Sequence, residues 1–242
     1  MKPGRNKLIV ALDVETSAEA RRIVSALRGM VGMFKIGSQL YTSTGPELVR
    51  EIVAMQEQVF LDLKFHDIPN TVAAAAVEAT RLGVSLFNVH AAGGTEMMRR
   101  TADAVSEFVA KERLAAPAII AVTVLTSSNA DTLAELGITD NPEEMVTRLA
   151  LLTEASGLDG VVASPREVER VRAAVKKPGF LIVTPGIRPA GSDPGDQKRV
   201  MTPREAIRAG SDYIVIGRPI LMAHDAVRAV QSILDDLESV PA

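Results

Sequence analysis

A twelve-residue stretch of the chain places charged side chains inside an apolar run. From Phe60 to Thr71 it reads FLDLKFHDIPNT. Alternate side chains of a β-strand share a face, so we expect Asp62 and Lys64 to point the same way. An unpaired charge buried in a strand is costly, so both groups must meet partners or a ligand. A lysine ammonium beside carboxylates can donate a proton and can stabilise negative charge that develops during a reaction.

The end of the same stretch predicts the start of a helix. Asp67 precedes Ile68 and Pro69, and proline is well tolerated in the first turn of a helix. Asp67 by itself can be a helix N-cap, and Thr71 by itself can be an ordinary first-turn residue. The residue types leave a structural and a functional role open for both.

The elements that position these side chains alternate between strand and helix. The strand candidates are short and apolar, as in parallel sheets covered on both faces. They are Leu8–Leu12, Met33–Gly37, Gln58–Lys64, Ser85–His90, Ala118–Leu125, Gly160–Ala163, Phe180–Thr184 and Tyr213–Gly217. The helical patterns between them are Ser17–Met30, Gly45–Met55, Pro69–Leu82, Thr95–Arg113, Pro142–Ser156, Pro165–Val175, Pro203–Ala209 and Pro219–Leu237.

Eight such units in 242 residues predict an α/β fold, the (β/α)8 or TIM barrel. The competing doubly wound sheet favours a glycine-rich turn after the first strand, and residues 13–17, DVETS, contain no glycine. No linker or shift in composition divides the chain. We therefore expect residues 1–242 to form one catalytic barrel domain.

In a barrel of this kind the reacting groups lie at the carboxyl ends of the strands. The polar residues at those ends are Asp13, Lys35, Asp62, Lys64, His90, Thr123, Thr126 and Ser164. Opposite charges a few ångströms apart stabilise one another's ionised forms. Structural ion pairs also cluster charge, so a purely structural salt bridge stays open for Asp13 and Lys35. His90 is expected to be a packed strand-end residue.

The last two units carry the signs of a phosphate site. Barrels often hold phosphate between the loops that follow strands seven and eight. The seventh loop contains Arg188 and Gln197 among several glycines, and strand eight ends at Gly217 and Arg218. Backbone N–H groups at a helix start favour an anion, and an arginine can grip it in a bidentate manner. The alternative is a surface loop with solvated charges.

Composition excludes several classes of function. The net charge of −3 argues against a nucleic-acid-binding surface. There is no cysteine, which rules out disulfides and thiolate ligands and is compatible with a cytoplasmic location. The three histidines lack metal-ligand spacing, so no metal site is expected, although a site of two histidines and two carboxylates stays open. No apolar run is long enough for a signal peptide or a membrane span.

The chain resembles the bacterial orotidine 5′-phosphate decarboxylase family over essentially its whole length. The stretch from Phe60 to Thr71 carries the resemblance together with five further motifs. These are Leu12-Asp13, the run FKIG at 34–37, VTVLTS at 122–127, TPGIRP at 184–189 with GDQKR at 195–199, and IGRPI at 216–220. The Asp-x-Lys element alone is shared with related barrels that act on sugar phosphates, whereas the full stretch with the Gly-Ile-Arg-Pro loop is specific.

The resemblance implies the conversion of orotidine 5′-monophosphate to UMP and CO2, the last step of de novo pyrimidine synthesis, without metal or organic cofactor. It implies that Lys64 is the general acid that protonates C6 and that Asp62 lies against the substrate carboxylate. Lys35 and Asp67 complete an alternating charge array. The implied binding residues are Asp13 and Lys35 for the ribose, Thr126 for the pyrimidine, Gln197 between base and phosphate, and Arg188, Gly217 and Arg218 for the phosphate.

The resemblance also implies a homodimer in which Asp67 and Thr71 reach into the partner subunit's site. Other phosphosugar barrel enzymes remain alternatives, namely a Mg²⁺-dependent 3-keto-gulonate-6-phosphate decarboxylase or a pentose-phosphate epimerase. A Schiff-base aldolase needs a neutral lysine, which paired carboxylates oppose. A non-catalytic barrel would leave the charges at the mouth unexplained.

Overall fold

Eight parallel strands close into a barrel in chain order. The computed structural model describes residues 3–189 and 201–238. Within them each strand pairs with the next, and the eighth pairs with the first. The strands are β1 Leu8–Ala11, β2 Met33–Gly37, β3 Val59–Phe65, β4 Leu86–His90, β5 Ala118–Val122, β6 Gly160–Val162, β7 Leu181–Thr184 and β8 Tyr213–Ile216. The predicted (β/α)8 barrel is confirmed.

Helices connect successive strands around the outside of the barrel. They are α1 Ser17–Leu27, α2 Ser38–Thr44, α3 Glu47–Ala54, α4 Pro69–Arg81, α5 Gly94–Glu112, α6 Ala130–Glu135, α7 Pro142–Ala155, α8 Val168–Ala174, α9 Pro203–Ala209, α10 Arg218–Leu221 and α11 Ala226–Glu238. Short 3-10 turns lie at Pro3–Lys7, Ala91–Gly93 and Pro165–Glu167. Four of the helices have proline as their first or second residue.

The sequence pattern was wrong about helix boundaries in two units. The predicted helix Gly45–Met55 begins too early, because Gly45 at φ +65° ends α2, a helix that the pattern missed. The predicted helix Pro219–Leu237 is two helices. Asp225 starts the second of them, since its carboxylate accepts the N–H of Arg228. The helix α6 was also missed, and Asn129 caps it through the N–H of Thr132.

The barrel interior is a layer of apolar side chains that point inward from the strands. These are Ile9, Ala11, Met33, Phe60, Leu86, Ile120, Val183 and Val215. A larger core fills the space between the strands and the helices. Because side chains alternate along a strand, the residues two positions further on stand above this apolar layer at the mouth.

The first residue of β6 tests how tightly the barrel is closed. A Cβ at Gly160 would lie 2.2 Å from the carbonyl oxygen of Leu181 on β7, so a strand would have to shift. We expect Gly160→Ala to lower the free energy of unfolding by about 3 kcal/mol in a urea titration. Gly157→Ala is the control, because Gly157 has positive φ but open space; it should cost about 1 kcal/mol. If both variants lost the same free energy of unfolding, β6 and β7 would be able to move apart at little cost.

Candidate active site

Four neighbouring strands carry polar side chains directly above the apolar interior. Asp13, Lys35, Asp62 and Asn88 each follow an inward-facing apolar residue by two positions, on or just after β1, β2, β3 and β4. We call these four residues the polar layer. Their common level follows from the alternation of side chains along each strand.

Salt bridges join the polar layer to Lys64. The Nζ atom of Lys35 lies 3.0 Å from Oδ1 of Asp13 and 3.4 Å from Oδ2 of Asp62. The Nζ atom of Lys64 lies 2.6 Å from Oδ1 of Asp62. Negative and positive groups therefore alternate from Asp13 through Lys35 and Asp62 to Lys64, so that each ammonium is in contact with a carboxylate.

Lys64 reaches this position through an irregular backbone and not through simple strand alternation. It has φ of +53°, in the left-handed region, which is unfavourable for a residue with a Cβ. The pairing of β3 with β4 shifts register between Leu61 and Phe65 at the same place. Asp62 and Lys64 do lie on the same side, as expected, but a register irregularity in β3, which we call the bulge, brings them together where a regular strand was expected.

Asn88 is a site residue that the sequence analysis missed. It is 1 % exposed. Its Oδ1 accepts the backbone N–H of Lys64 at 2.8 Å, and its Nδ2 donates to Oδ1 of Asp62 at 2.7 Å. A polar residue at an inward position of an otherwise apolar strand was the available signal, since such a residue needs a partner.

The charges of the site hold one another ionised. Burial alone would raise the pKa of the Asp62 carboxyl, but the nearby charges of Lys35 and Lys64 outweigh it and the pKa is lowered. Burial alone would lower the pKa of the Lys35 ammonium, but Asp62 and Asp13 outweigh it and the pKa is raised. Asp62 thus remains a carboxylate, and Lys35 remains an ammonium, throughout the neutral range.

A largely apolar cavity adjoins the charge array at the mouth of the barrel. Lys35, Asp62 and Lys64 form its charged wall. The rest of its lining is Phe60, Val122, Val124, Leu125, Thr126, Val162, Ala163, Val183, Pro185 and Val215. Thr126 is half-buried at this lining. A charge on a ligand bound in this cavity would lie in a medium of low dielectric constant.

Asp67 and Thr71 lie apart from the charge array within this subunit. Both are exposed at the start of α4. Ile68 between them is 67 % exposed and is the N-cap residue in place of Asp67. The Oδ1 atom of Asp67 accepts the N–H of Ile68. Among the described residues Asp67 forms no salt bridge with Lys64.

The predicted phosphate residues lie at the ends of β7 and β8. Arg188 is buried in the loop after β7 and donates to the carbonyl of Ile187. Gly217 precedes the short helix α10, and a Cβ there would lie 3.3 Å from Oδ2 of Asp13. Arg218 is exposed in the first turn of that helix. Gln197 lies outside the described residues.

Two of the three histidines, His66 and His90, lie beside the charge array. The rings of His66 and His90 lie 5.4 Å apart between their centroids. Burial, together with the charges of His66 and Lys64, lowers the pKa of His90. Across residues 3–189 and 201–238, no three His, Asp or Glu side chains come together as ligands for a metal ion. In the same ranges no helix is long and apolar enough to cross a membrane.

Fold and site together define a (β/α)8-barrel enzyme whose mouth carries an alternating array of lysines and aspartates beside an apolar cavity. Residues 6–233 match the family model described as "Orotidine 5'-phosphate decarboxylase / HUMPS family". The chain is 56% identical over 235 residues to an orotidine 5′-phosphate decarboxylase of Geobacter sulfurreducens, covering 97% of both chains. It is 55% identical over 234 residues to that of Syntrophotalea carbinolica, covering 97% of this chain and 96% of the relative.

A solved structure agrees with the sequence relatives. The crystal structure of orotidine 5′-phosphate decarboxylase from Lactobacillus acidophilus matches with a TM-score of 0.83 and 35% identity, covering 95% of this chain and 98% of that one. The chain therefore belongs to the orotidine 5′-phosphate decarboxylase / HUMPS family. The family resemblance carried by the sequence motifs is confirmed.

The lowered pKa of Asp62 predicts a defined dependence of stability on pH. Asp62→Asn removes the central carboxylate and leaves Lys64 without that partner, which we expect to cost about 2 kcal/mol of unfolding free energy at pH 7. A depressed folded-state pKa stabilises the protein above the unfolded value of about 3.9, and this contribution is lost as the pH falls through the folded value. In urea titrations the gap between wild type and variant should narrow below about pH 4. A gap that stays constant there would contradict the assigned shift.

Proposed function

We propose that this chain catalyses the decarboxylation of orotidine 5′-monophosphate to UMP and CO2, the final step of UMP biosynthesis. The observation that carries the proposal is the contact of Lys64 with Asp62, and of Asp62 with Lys35, on the charged wall of an apolar cavity. Relatives more than half identical in sequence carry the name of this activity. The reaction needs a fixed positive charge and a proton donor at one carbon atom, which Lys64 supplies.

In the proposed reaction the bond between C6 of the pyrimidine and its carboxylate carbon breaks. The electron pair stays on C6, in a ring orbital that delocalises it poorly, and CO2 leaves. The Lys64 ammonium is a preorganised counter-charge at that carbon. It then transfers a proton from Nζ to C6, which gives UMP, and takes a proton back from water.

Asp62 has two proposed roles that follow from its contacts. It orders both lysines, because its two oxygens face Lys64 and Lys35 separately. It also takes the position against the substrate carboxylate, where two negative groups repel until CO2 is lost. Within the polar layer, Asp13 and Lys35 bind the ribose hydroxyls, in keeping with the place of Asp13 at the exposed rim.

The remaining substrate contacts come from the second half of the barrel. Thr126 contacts the pyrimidine at the cavity lining. Arg188, Gly217 and Arg218 hold the phosphate at the ends of β7 and β8, and Gln197 links base and phosphate. Binding energy from a phosphate far from C6 positions the ring and contributes to the rate even though the phosphate does not react.

The exposed start of α4 supports a homodimer. Asp67, Ile68 and Thr71 are all exposed in this subunit, so their side chains are accessible to a second copy of the chain. In the proposed dimer Asp67 and Thr71 complete the partner subunit's site. We further propose that residues 1–242 act as one catalytic barrel domain in the cytoplasm, without metal or organic cofactor.

Replacement of Lys64 tests the mechanism. We expect Lys64→Ala to lower kcat by at least about 10⁴-fold, because the proton donor and the counter-charge are lost together. The affinity for UMP should fall far less, since phosphate and ribose contacts remain. Loss of orotidine 5′-monophosphate is followed by absorbance, and UMP binding by calorimetry.

Lys111→Ala is the matched control, because Lys111 is exposed on α5 away from the mouth, and it should leave kcat unchanged. Retention of near-native turnover by Lys64→Ala would remove Lys64 from the proposed role. Activity should survive a chelator, whereas a Mg²⁺-dependent 3-keto-gulonate-6-phosphate decarboxylase would lose it. Borohydride should trap no Schiff base.

The shared site predicts complementation between variants. Mixing Lys64→Ala with Asp67→Asn and allowing subunits to exchange should restore about a quarter of wild-type activity, because half of the dimers become mixed and each has one intact site. Mixing Lys64→Ala with Asp62→Asn is the control, since both residues act in the same subunit and no intact site forms. Exchange is verified by native mass spectrometry. Mixed dimers without activity would show that Asp67 does not serve the neighbouring site.

A further inference from the structure

We propose that Asn88 is a positioning residue for the reaction, which holds the backbone of Lys64 and the carboxylate of Asp62 in one fixed arrangement. The inference rests on the roles proposed above for those two residues and adds the group that sets their geometry. Asn88 is not part of the lining of the apolar cavity described above, so we infer that it acts through its neighbours and not on the substrate.

The contacts of Asn88 form a closed ring with the two charged residues. Its Oδ1 accepts from the backbone N–H of Lys64 at 2.8 Å, and its Nδ2 donates to Oδ1 of Asp62 at 2.7 Å. The same Oδ1 of Asp62 accepts from Nζ of Lys64 at 2.6 Å. Backbone and side chain of Lys64 are thus tied to one another through Asn88 and Asp62.

The bulge in β3 creates the need for this side chain. The register pairs Leu61 with Phe87 and Phe65 with Val89, so four steps along β3 match two along β4. The N–H of Lys64 therefore lacks a regular partner in the ladder, and an unpaired buried N–H is costly. Oδ1 of Asn88 takes the place of the missing carbonyl and stabilises the left-handed backbone at Lys64.

At neutral pH an amide serves both sides of the ring and a carboxylate does not. The N–H of Lys64 requires an acceptor, and the carboxylate of Asp62 requires a donor. A carboxyl group at position 88 would keep the acceptor but would set a second negative charge against Asp62. An apolar group of the same size would supply neither. Asn88 is 1 % exposed, so water cannot readily replace either contact.

Two variants of Asn88 separate positioning from folding. Asn88→Leu keeps the size and removes both hydrogen bonds; we expect kcat to fall about 100-fold, the cost of a misplaced reacting group, while the Kd for UMP changes less than about threefold. Asn88→Asp should lower kcat further than Asn88→Leu does at neutral pH. The rate of this variant relative to wild type should recover as the pH falls, because the new carboxyl becomes a donor when it is protonated. The titratable groups around it are Asp62 and Lys64 of β3, Lys35 of β2 and His90 on its own strand.

Thr101→Val is the matched control for a buried polar loss. Thr101 is fully buried on α5, and its hydroxyl donates to the carbonyl oxygen of Met97 in the same helix. Its replacement should lower the melting temperature without changing kcat. If Asn88→Leu does not fold, Asn88→Asp carries the test through its pH profile.

The crystal structure of Asn88→Leu decides the inference independently of turnover. We expect Nζ of Lys64 to move beyond 4 Å from Oδ1 of Asp62, the limit of a salt bridge, and φ of Lys64 to leave the left-handed region. An unchanged array, or a folded variant with kcat within about threefold of wild type, would overturn it. A wild-type protein that does not turn over orotidine 5′-monophosphate would instead refute the proposed function, while the crystal structure would still decide the role of Asn88.

Discussion

The carboxylate of Asp62 is the contact on which the site depends. Its Oδ1 accepts from Lys64 and Asn88, and its Oδ2 faces Lys35. The ammonium groups of Lys35 and Lys64 lie close together because the Asp62 carboxylate lies between them, and Asp13 is a second partner of Lys35. The four formal charges sum to zero, so the array as a whole is locally neutral. A lysine held in this way is ready before substrate arrives, and little reorganisation is needed during the reaction.

The barrel gives the site two unlike halves. The strands β1 to β4 position the polar layer at the mouth, while β5 to β8 contribute Val122, Val162, Val183 and Val215 to the cavity lining. A charge that develops between them meets a fixed ammonium on one side and a medium of low dielectric constant on the other, where electrostatic interactions are stronger than in water. The closed barrel is necessary for this arrangement, since it brings the ends of strands that are distant in sequence to one mouth.

Strain and charge are concentrated where the chemistry is proposed. Lys64 is one of three residues other than glycine with positive φ in the described part of the chain, and it lies in the bulge that breaks the pairing of β3 with β4. Such features persist only where surrounding contacts impose them. The buried amide of Asn88 and the closed ladders of the other strands supply those contacts, so the rigid barrel compensates for an unfavourable backbone at one position.

The sequence by itself determined the fold class, the strand order, the charged stretch around Lys64 and the family, because alternation, helix-start prolines and residue identity are local properties. The sequence predicted that Asp62 and Lys64 share a face because residues alternate along a regular strand. The structure brings them together through the bulge in β3, which alternation does not describe. Helix ends at Gly45 and Asp225 were misjudged because caps depend on backbone conformation. Only the tertiary structure decided that Asn88 contacts both Asp62 and Lys64 and that Asp67 and Thr71 are exposed, because these facts depend on register between strands and on how α4 packs, which no single segment encodes.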